Sequence, residues 1–238
     1  MISFFKNKFL FTLVFFLMIL IDSYVKIYLE LGFVRYFTKL PITVLLILYY
    51  LYNNSELLRL KRVFMLIALS LFLLGDFFFI KEEQVMFFSL AMACFILAKV
   101  FYILNFSNKR DFKLGKLLPL LSLSLVYGYL VMYFILPNLN TFYIPVLIYC
   151  FVELMVLIFA FLRQGNVDRK SFIFVFVGVI IAFFSDAITA IDTFNSPNFF
   201  YENSALMLLY GLSQYLIVIG VTEAVKLKNE DVIDARFL

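Results

Sequence analysis

The sequence predicts an all-α polytopic membrane protein, an eight-transmembrane-helix bundle. Three observations carry that expectation. Hydrophobic residue types make up 65% of the 238 residues, and the mean hydropathy is +1.02, more apolar sequence than a soluble core of this size calls for. The apolar runs are continuous over about 20 residues, the length of a helix that crosses a bilayer, and do not alternate as barrel strands do. Basic residues gather in every second connection, as orientation in a membrane demands. No stretch is long and polar enough for a separate soluble unit, so a single membrane domain over 1-238 is expected.

Each run is read as a helix, because in lipid the backbone polar groups must be satisfied within the segment. The first span, about 8-28, has a basic start that resembles a signal peptide. No small-x-small cleavage site follows it, so it is read as retained; Asp22 interrupts it. The second, about 36-52, is short and opens on Lys39 and Pro41. The third, 63-80, carries Asp76. The fourth, 84-106, carries Lys99 and Tyr102, and the fifth is 117-136. The sixth, 141-162, holds Tyr149 and Glu153 four residues apart and so on one face. The seventh, 171-193, reads SFIFVFVGVIIAFFSDAITAIDT, with Asp186 deep inside and Asp192 near its end. The eighth, 204-226, repeats the four-residue spacing with Tyr210 and Gln214. Cys94 and Cys150 fall inside spans and read as small packing residues, with no disulfide framework.

The charges fix an expected orientation. Of the 20 Lys and Arg residues, 15 lie at the N-terminus, in connections 2–3, 4–5 and 6–7, and in the tail. Only Lys26, Arg35, Lys39 and Lys81 lie on the other side, and Lys99 is within a span. Both termini are therefore expected in the cytoplasm. Spans three and seven then both run outward. Asp76 is 13 residues past Val63 and Asp186 is 15 past Ser171, which places both ~20 Å into the membrane at ~1.5 Å per residue.

A short internal likeness supports pairing these spans. LLGDFFF around Asp76 resembles FFSDAIT around Asp186, and each is followed by a span with a polar residue, Lys99 in FILAKVFY and Gln214 in YGLSQYLI. Two four-helix halves in parallel orientation would have this layout.

A carboxylate within hydrocarbon costs about 2.5 kcal/mol or more on insertion scales and normally faces a cavity or a partner. Asp76 and Asp186 are therefore the expected catalytic pair. The competing reading is that each only pairs with Lys99, Lys39 or a tyrosine to hold the bundle. Lys99 is read either as counter-ion to Asp76, Asp186 or Glu153, or as a side chain snorkelling to the interface. Lys39 either binds a phosphate headgroup or anchors its helix at the surface. Tyr102, Tyr149, Glu153, Tyr210 and Gln214 complete the expected substrate-binding set, against a plain role in bonds between helices. Asp22, Asp192 and Glu223 read as structural.

Other chemistries are excluded. The chain has no histidine, which removes imidazole metal sites, Ser-His triads and histidine proton relays together. It has neither a Gly-rich phosphate loop nor a metal-ligand cluster, so no cofactor and no metal are expected. The net charge of +4 sits in orientation-setting connections, so nucleic acid is not an expected partner.

Five motifs in order resemble those of the YhhN-like membrane proteins, the lysoplasmalogenase family: Lys39-Leu-Pro41, Leu73-Leu-Gly-Asp76, Ala98-Lys-Val-Phe-Tyr102, Phe184-Ser-Asp186 and Tyr210-Gly-Leu-Ser-Gln214. The resemblance covers nearly the whole chain. It implies an eight-span bundle that cleaves the vinyl-ether bond of lysoplasmalogens, giving a fatty aldehyde and a glycerophospho-alcohol. It implies that Asp76 and Asp186 are the acidic pair, with Lys39, Tyr210 and Gln214 at polar motif positions. At Lys99 the family pattern often has histidine. A membrane lipid or lysophospholipid is the expected partner. The rival readings are a small-molecule or proton-coupled membrane transporter and a non-catalytic lipid-binding protein.

Overall fold

A computed structural model describes residues 2–29, 33–54, 58–107, 114–194 and 203–234. Among these the chain is helical, with one isolated bridge between Gln164 and Val167. A short helix α1 (Ile2–Lys6) precedes α2 (Lys8–Tyr24), which runs on as a π-helical turn over Val25–Leu29. Then follow α3 (Arg35–Asn53), α4 (Arg59–Phe79), α5 (Val85–Phe106) and α6 (Leu114–Ile135). Two 3-10 turns, Leu136–Asn138 and Asn140–Phe142, lead into α7 (Tyr143–Leu162), α8 (Arg169–Phe194) and α9 (Asn203–Asp234).

The break between α1 and α2 has a local cause. The Asn7 side chain accepts a hydrogen bond from the Leu10 backbone N–H at 3.2 Å and caps the new helix. Between α7 and α8 the chain turns at Gly165, whose φ of +79° is the left-handed region glycine tolerates.

The protein is a multi-pass membrane protein. Seven segments among the described residues are long and apolar enough to cross a membrane: Lys8–Leu29, Arg59–Phe79, Val85–Phe106, Leu117–Asn138, Asn140–Leu162, Arg169–Phe194 and Leu206–Ala224. The sequence led us to expect eight. The expected second span is a helix, α3, of 19 residues, but it is not among the seven. Arg35 and Lys39 in its opening turns make it the most polar of the candidates. Both side chains are nevertheless buried, so what α3 loses in lipid-compatible surface it places inside the protein.

Helix α9 lies at the centre and α6 at the edge. In the spanning windows, 61% of the α9 segment is buried against 17% for α6. The long apolar side chains left exposed on α6, including Leu118, Leu123 and Leu130, fit a surface that meets lipid rather than water. Within the bundle α4 packs closely along α5, and α8 along α9. Small residues permit this approach. A Cβ on Gly75 would come within 2.4 Å of the Phe95 ring, and one on Gly220 within 2.8 Å of the Val175 backbone nitrogen.

Two apolar clusters frame the interior. One joins α1 to α5 and α7 to α9, through fully buried rings such as Phe11, Phe15, Tyr49 and Tyr102. Phe11 stacks on Tyr49 with ring centres 4.2 Å apart. The other joins α5 to α8 through Met92, Val131, Ile135, Val146 and Ala187. At the end of the bundle that carries most basic residues, Arg163 ties three helices. Its guanidinium donates to Ser171 Oγ at 3.0 Å, and Ser171 Oγ donates to the Gly220 carbonyl at 2.6 Å.

Candidate functional site

A cavity of about 220 Å³ opens between the two clusters. That exceeds the ~150 Å³ at which an apolar cavity admits a benzene-sized ligand. Its walls are largely aromatic and aliphatic, and two groups of polar side chains interrupt them.

The first group centres on Asp76 of α4, whose side chain is only 1% exposed. Lys39 of α3 places its ammonium 3.3 Å from Oδ1. Thr43 Oγ1, one turn further along α3, donates to Oδ2 at 2.7 Å, and Tyr210 of α9 donates its hydroxyl to the same oxygen at 3.1 Å. Lys39 also lies over the Phe79 ring, 4.7 Å from its centre. One acid thus meets one cation and two hydroxyl donors, so its charge is matched within the protein.

The second group centres on Lys99 of α5. Its ammonium lies 2.5 Å from Oδ2 of Asp186 on α8 and also bonds Oε2 of Glu153 on α7. Tyr149, one turn before Glu153, donates its hydroxyl to Asp186 at 3.0 Å, and its ring lies under the Lys99 ammonium at 4.7 Å. Lys99 is buried and held by two acids, so it does not snorkel. Here one cation faces two carboxyls. Asp186 is the most open of the three, with a side chain 23% exposed against 5% for Lys99 and Glu153.

Every residue of the expected catalytic and substrate-binding set enters one of these groups, except Tyr102 and Gln214. These two bond each other across α5 and α9, Tyr102 donating to Gln214 Oε1 at 2.7 Å. Gln214 also lines the cavity, and Tyr102 supports it from behind. Thr43 was missed. Its signal was the four-residue spacing from Lys39, the same spacing that marked Tyr149 with Glu153. Lys26, Glu82 and Asp192 also line the cavity. They come from the start of the π turn, the α4–α5 connection and the last turns of α8, and form a charged rim at one end of the bundle. Asp192, expected to be structural, stands on this rim. Asp22 is fully buried and accepts from Thr38 at 2.5 Å, away from the cavity, and Glu223 pairs with Lys8. Cys94 and Cys150 are free thiols.

Among the described residues no three Cys, Asp or Glu side chains converge as a metal site would require. What the arrangement can do is hold Asp76 and Asp186 on one mostly apolar space, Asp76 with Lys39 to itself and Asp186 sharing Lys99 with Glu153. Proton transfer to and from a bound apolar substrate is the chemistry this suits.

The family model described as the YhhN family matches residues 34–221, which takes in every residue of both groups. A comparison with curated proteins and with solved structures returned no match. The match extends over most of the chain and is the family whose motifs the sequence resembles: the chain belongs to the YhhN family.

Proposed function

We propose that this protein is an integral-membrane hydrolase that cleaves the vinyl-ether bond of lysoplasmalogen-type lysophospholipids. The observation that carries the reading is that Asp76 and Asp186 both line one cavity, one sealed beside Lys39 and one open to it. A vinyl ether hydrolyses when an acid protonates its outer alkene carbon, which leaves an oxocarbenium ion. An ionised carboxylate nearby stabilises that cation, water adds to it, and the added water returns a proton to the acid. The hemiacetal then collapses to a fatty aldehyde and a glycerophospho-alcohol. The two roles need one carboxyl neutral and one ionised in a site of low polarity. The aromatic wall would hold the hydrocarbon chain, and the charged rim lies where a headgroup would end. The sequence motifs support the same substrate class by resemblance.

On this reading α2 to α9 are eight spans with both termini cytoplasmic, and α3 crosses the membrane shielded by its neighbours. They form two halves, α2–α5 and α6–α9. Residue spacing supports this. Lys39 and Tyr149, Thr43 and Glu153, and Asp76 and Asp186 stand at 39 and 149, 43 and 153, 76 and 186, each 110 positions apart. The first two members of each half contact its aspartate directly or through Lys99. Tyr210 reaches Asp76 from the second half, and Lys99 reaches Asp186 from the first. The helix packing is exchanged in the same way, α5 against α7 and α9 against α3.

That repeat also favours a second reading, a carrier with its site between two halves. One experiment separates them. Purified protein in lipid nanodiscs is given a 1-alkenyl lysophospholipid, and the same protein in sealed vesicles is assayed for uptake. Aldehyde release supports the hydrolase; uptake without aldehyde supports the carrier; retained lipid with neither supports a binding protein.

A further inference from the structure

We infer that Glu153 is a third working carboxyl: Lys99, Glu153 and Asp186 hold one proton among them and deliver it to the substrate, while Asp76 serves as the fixed carboxylate. The inference rests on the hydrolase reading for its destination, but the proton itself is a property of the free protein.

The argument is first one of charge. Lys99 bonds both Glu153 and Asp186, and no other cation stands within ion-pair distance of either acid among the described residues. Tyr149, the other polar contact of Asp186, is a neutral donor. With both acids ionised the group would carry a net negative charge in a buried position, which low polarity makes costly. One added proton makes it neutral. Across the cavity, Asp76 is matched one to one by Lys39 and needs none. The remaining charged residues of the cavity, Lys26, Glu82 and Asp192, stand at the rim and supply neither acid with a counter-ion.

Hydrogen bonding points the same way. Oε1 of Glu153 is buried and has no hydrogen-bond partner; Oδ1 of Asp76 has none either, but the Lys39 ammonium stands 3.3 Å from it, whereas Lys99 bonds Glu153 only at Oε2. A carboxylate oxygen without a donor is a heavier loss than the corresponding oxygen of a neutral carboxyl. The matched spacing adds a third argument. The position that holds Glu153 beside Asp186 holds Thr43 beside Asp76. Where one half gives its aspartate a hydroxyl donor, the other gives it a second acid, and that exchange is the whole difference in charge between the two groups. In the reaction the proton leaves this group for the alkene carbon. The group is then briefly two carboxylates on one ammonium, and the attacking water restores the proton.

The test reads the proton without substrate. Infrared difference spectra of the protein in nanodiscs, in H2O and in D2O, report the carbonyl stretch of protonated carboxyls. The inference expects a deuterium-sensitive band in the natural protein that disappears in Glu153→Gln and in Asp186→Asn, since either leaves a balanced pair, and survives in Asp76→Asn. Aldehyde release by Glu153→Gln should fall ~10²-fold, the scale of a lost general acid. Glu153→Thr, which copies the surroundings of Asp76, should lose the same band and serves if the Gln variant does not fold. A spectrum in which no carboxyl band changes on either substitution at Glu153 overturns the inference. Because substrate is absent, that result leaves the hydrolase reading standing, and loss of the hydrolase reading leaves the band to be seen.

Discussion

Lys99 on α5 and Asp186 on α8 meet at 2.5 Å although 87 residues separate them in the chain. The contact decides how the cavity is charged. A lysine in mid-span would be expelled towards water unless acids held it. Asp186 and Glu153 do so, and they thereby fix both carboxyls against the same wall. Lys39 and Asp76 make the matching contact on the other side. The cavity between them is walled largely by rings, so the two acids border one small, mostly apolar volume.

The Lys39–Asp76 pair should be strongly coupled. Lys39→Met leaves Asp76 buried without a counter-ion, and breaking such a pair costs about 3–5 kcal/mol. The thermal midpoint of the detergent-solubilised protein should fall steeply. Adding Asp76→Asn to that variant should restore part of the loss, because the amide carries no charge. Losses that simply add would show that the two groups do not interact.

Close helix packing gives a second contrast. Gly220→Ala puts a methyl 2.7 Å from Val175 Cγ2 and 2.8 Å from a backbone nitrogen that cannot move aside. Overpacking of this kind costs about 1–3 kcal/mol. Gly128→Ala on α6 meets nothing within 4 Å and should leave the melting temperature unchanged or slightly raised. Equal effects at both sites would contradict the packing described for α8 and α9.

The helices themselves were legible in the sequence because twenty apolar residues in a row admit few other structures. Asp76, Asp186 and Lys99 stood out for the same reason, since charge within such a run is rare. Which acid met which lysine was not legible. Lys99 had three carboxyls within conceivable reach, and only the packing of α5 against α7, and of α7 against α8, selects Glu153 and Asp186. The second span illustrates a different limit. Arg35 and Lys39 lower the hydropathy of α3, and its apolar run, about 36-52, is short for a span. Thr43 escaped notice because a threonine in a span is ordinary; only its 2.7 Å bond to Asp76 marks it. Asp192 looked terminal along the chain, yet the end of α8 turns it onto the cavity rim.

Orientation can be tested directly. The distribution of basic residues predicts both termini in the cytoplasm. A reporter active only in the cytoplasm should work when fused after residue 238. It should fail when inserted in the α4–α5 connection near Glu82, where a periplasmic or external reporter should work instead. The reverse pattern would invert the bundle, and reporters on the same side at both sites would require an even number of spans between them instead of five.

The central claim is that Asp76 and Asp186 act together on one bound lipid. The most direct measurement is aldehyde release from a 1-alkenyl lysophospholipid by purified protein, compared with Asp76→Asn and Asp186→Asn variants confirmed as folded by their elution and melting. Turnover in the natural protein and a fall of about 10²-fold or more in each variant is the expected result. Undiminished turnover in either variant, or none in the natural protein, would contradict it.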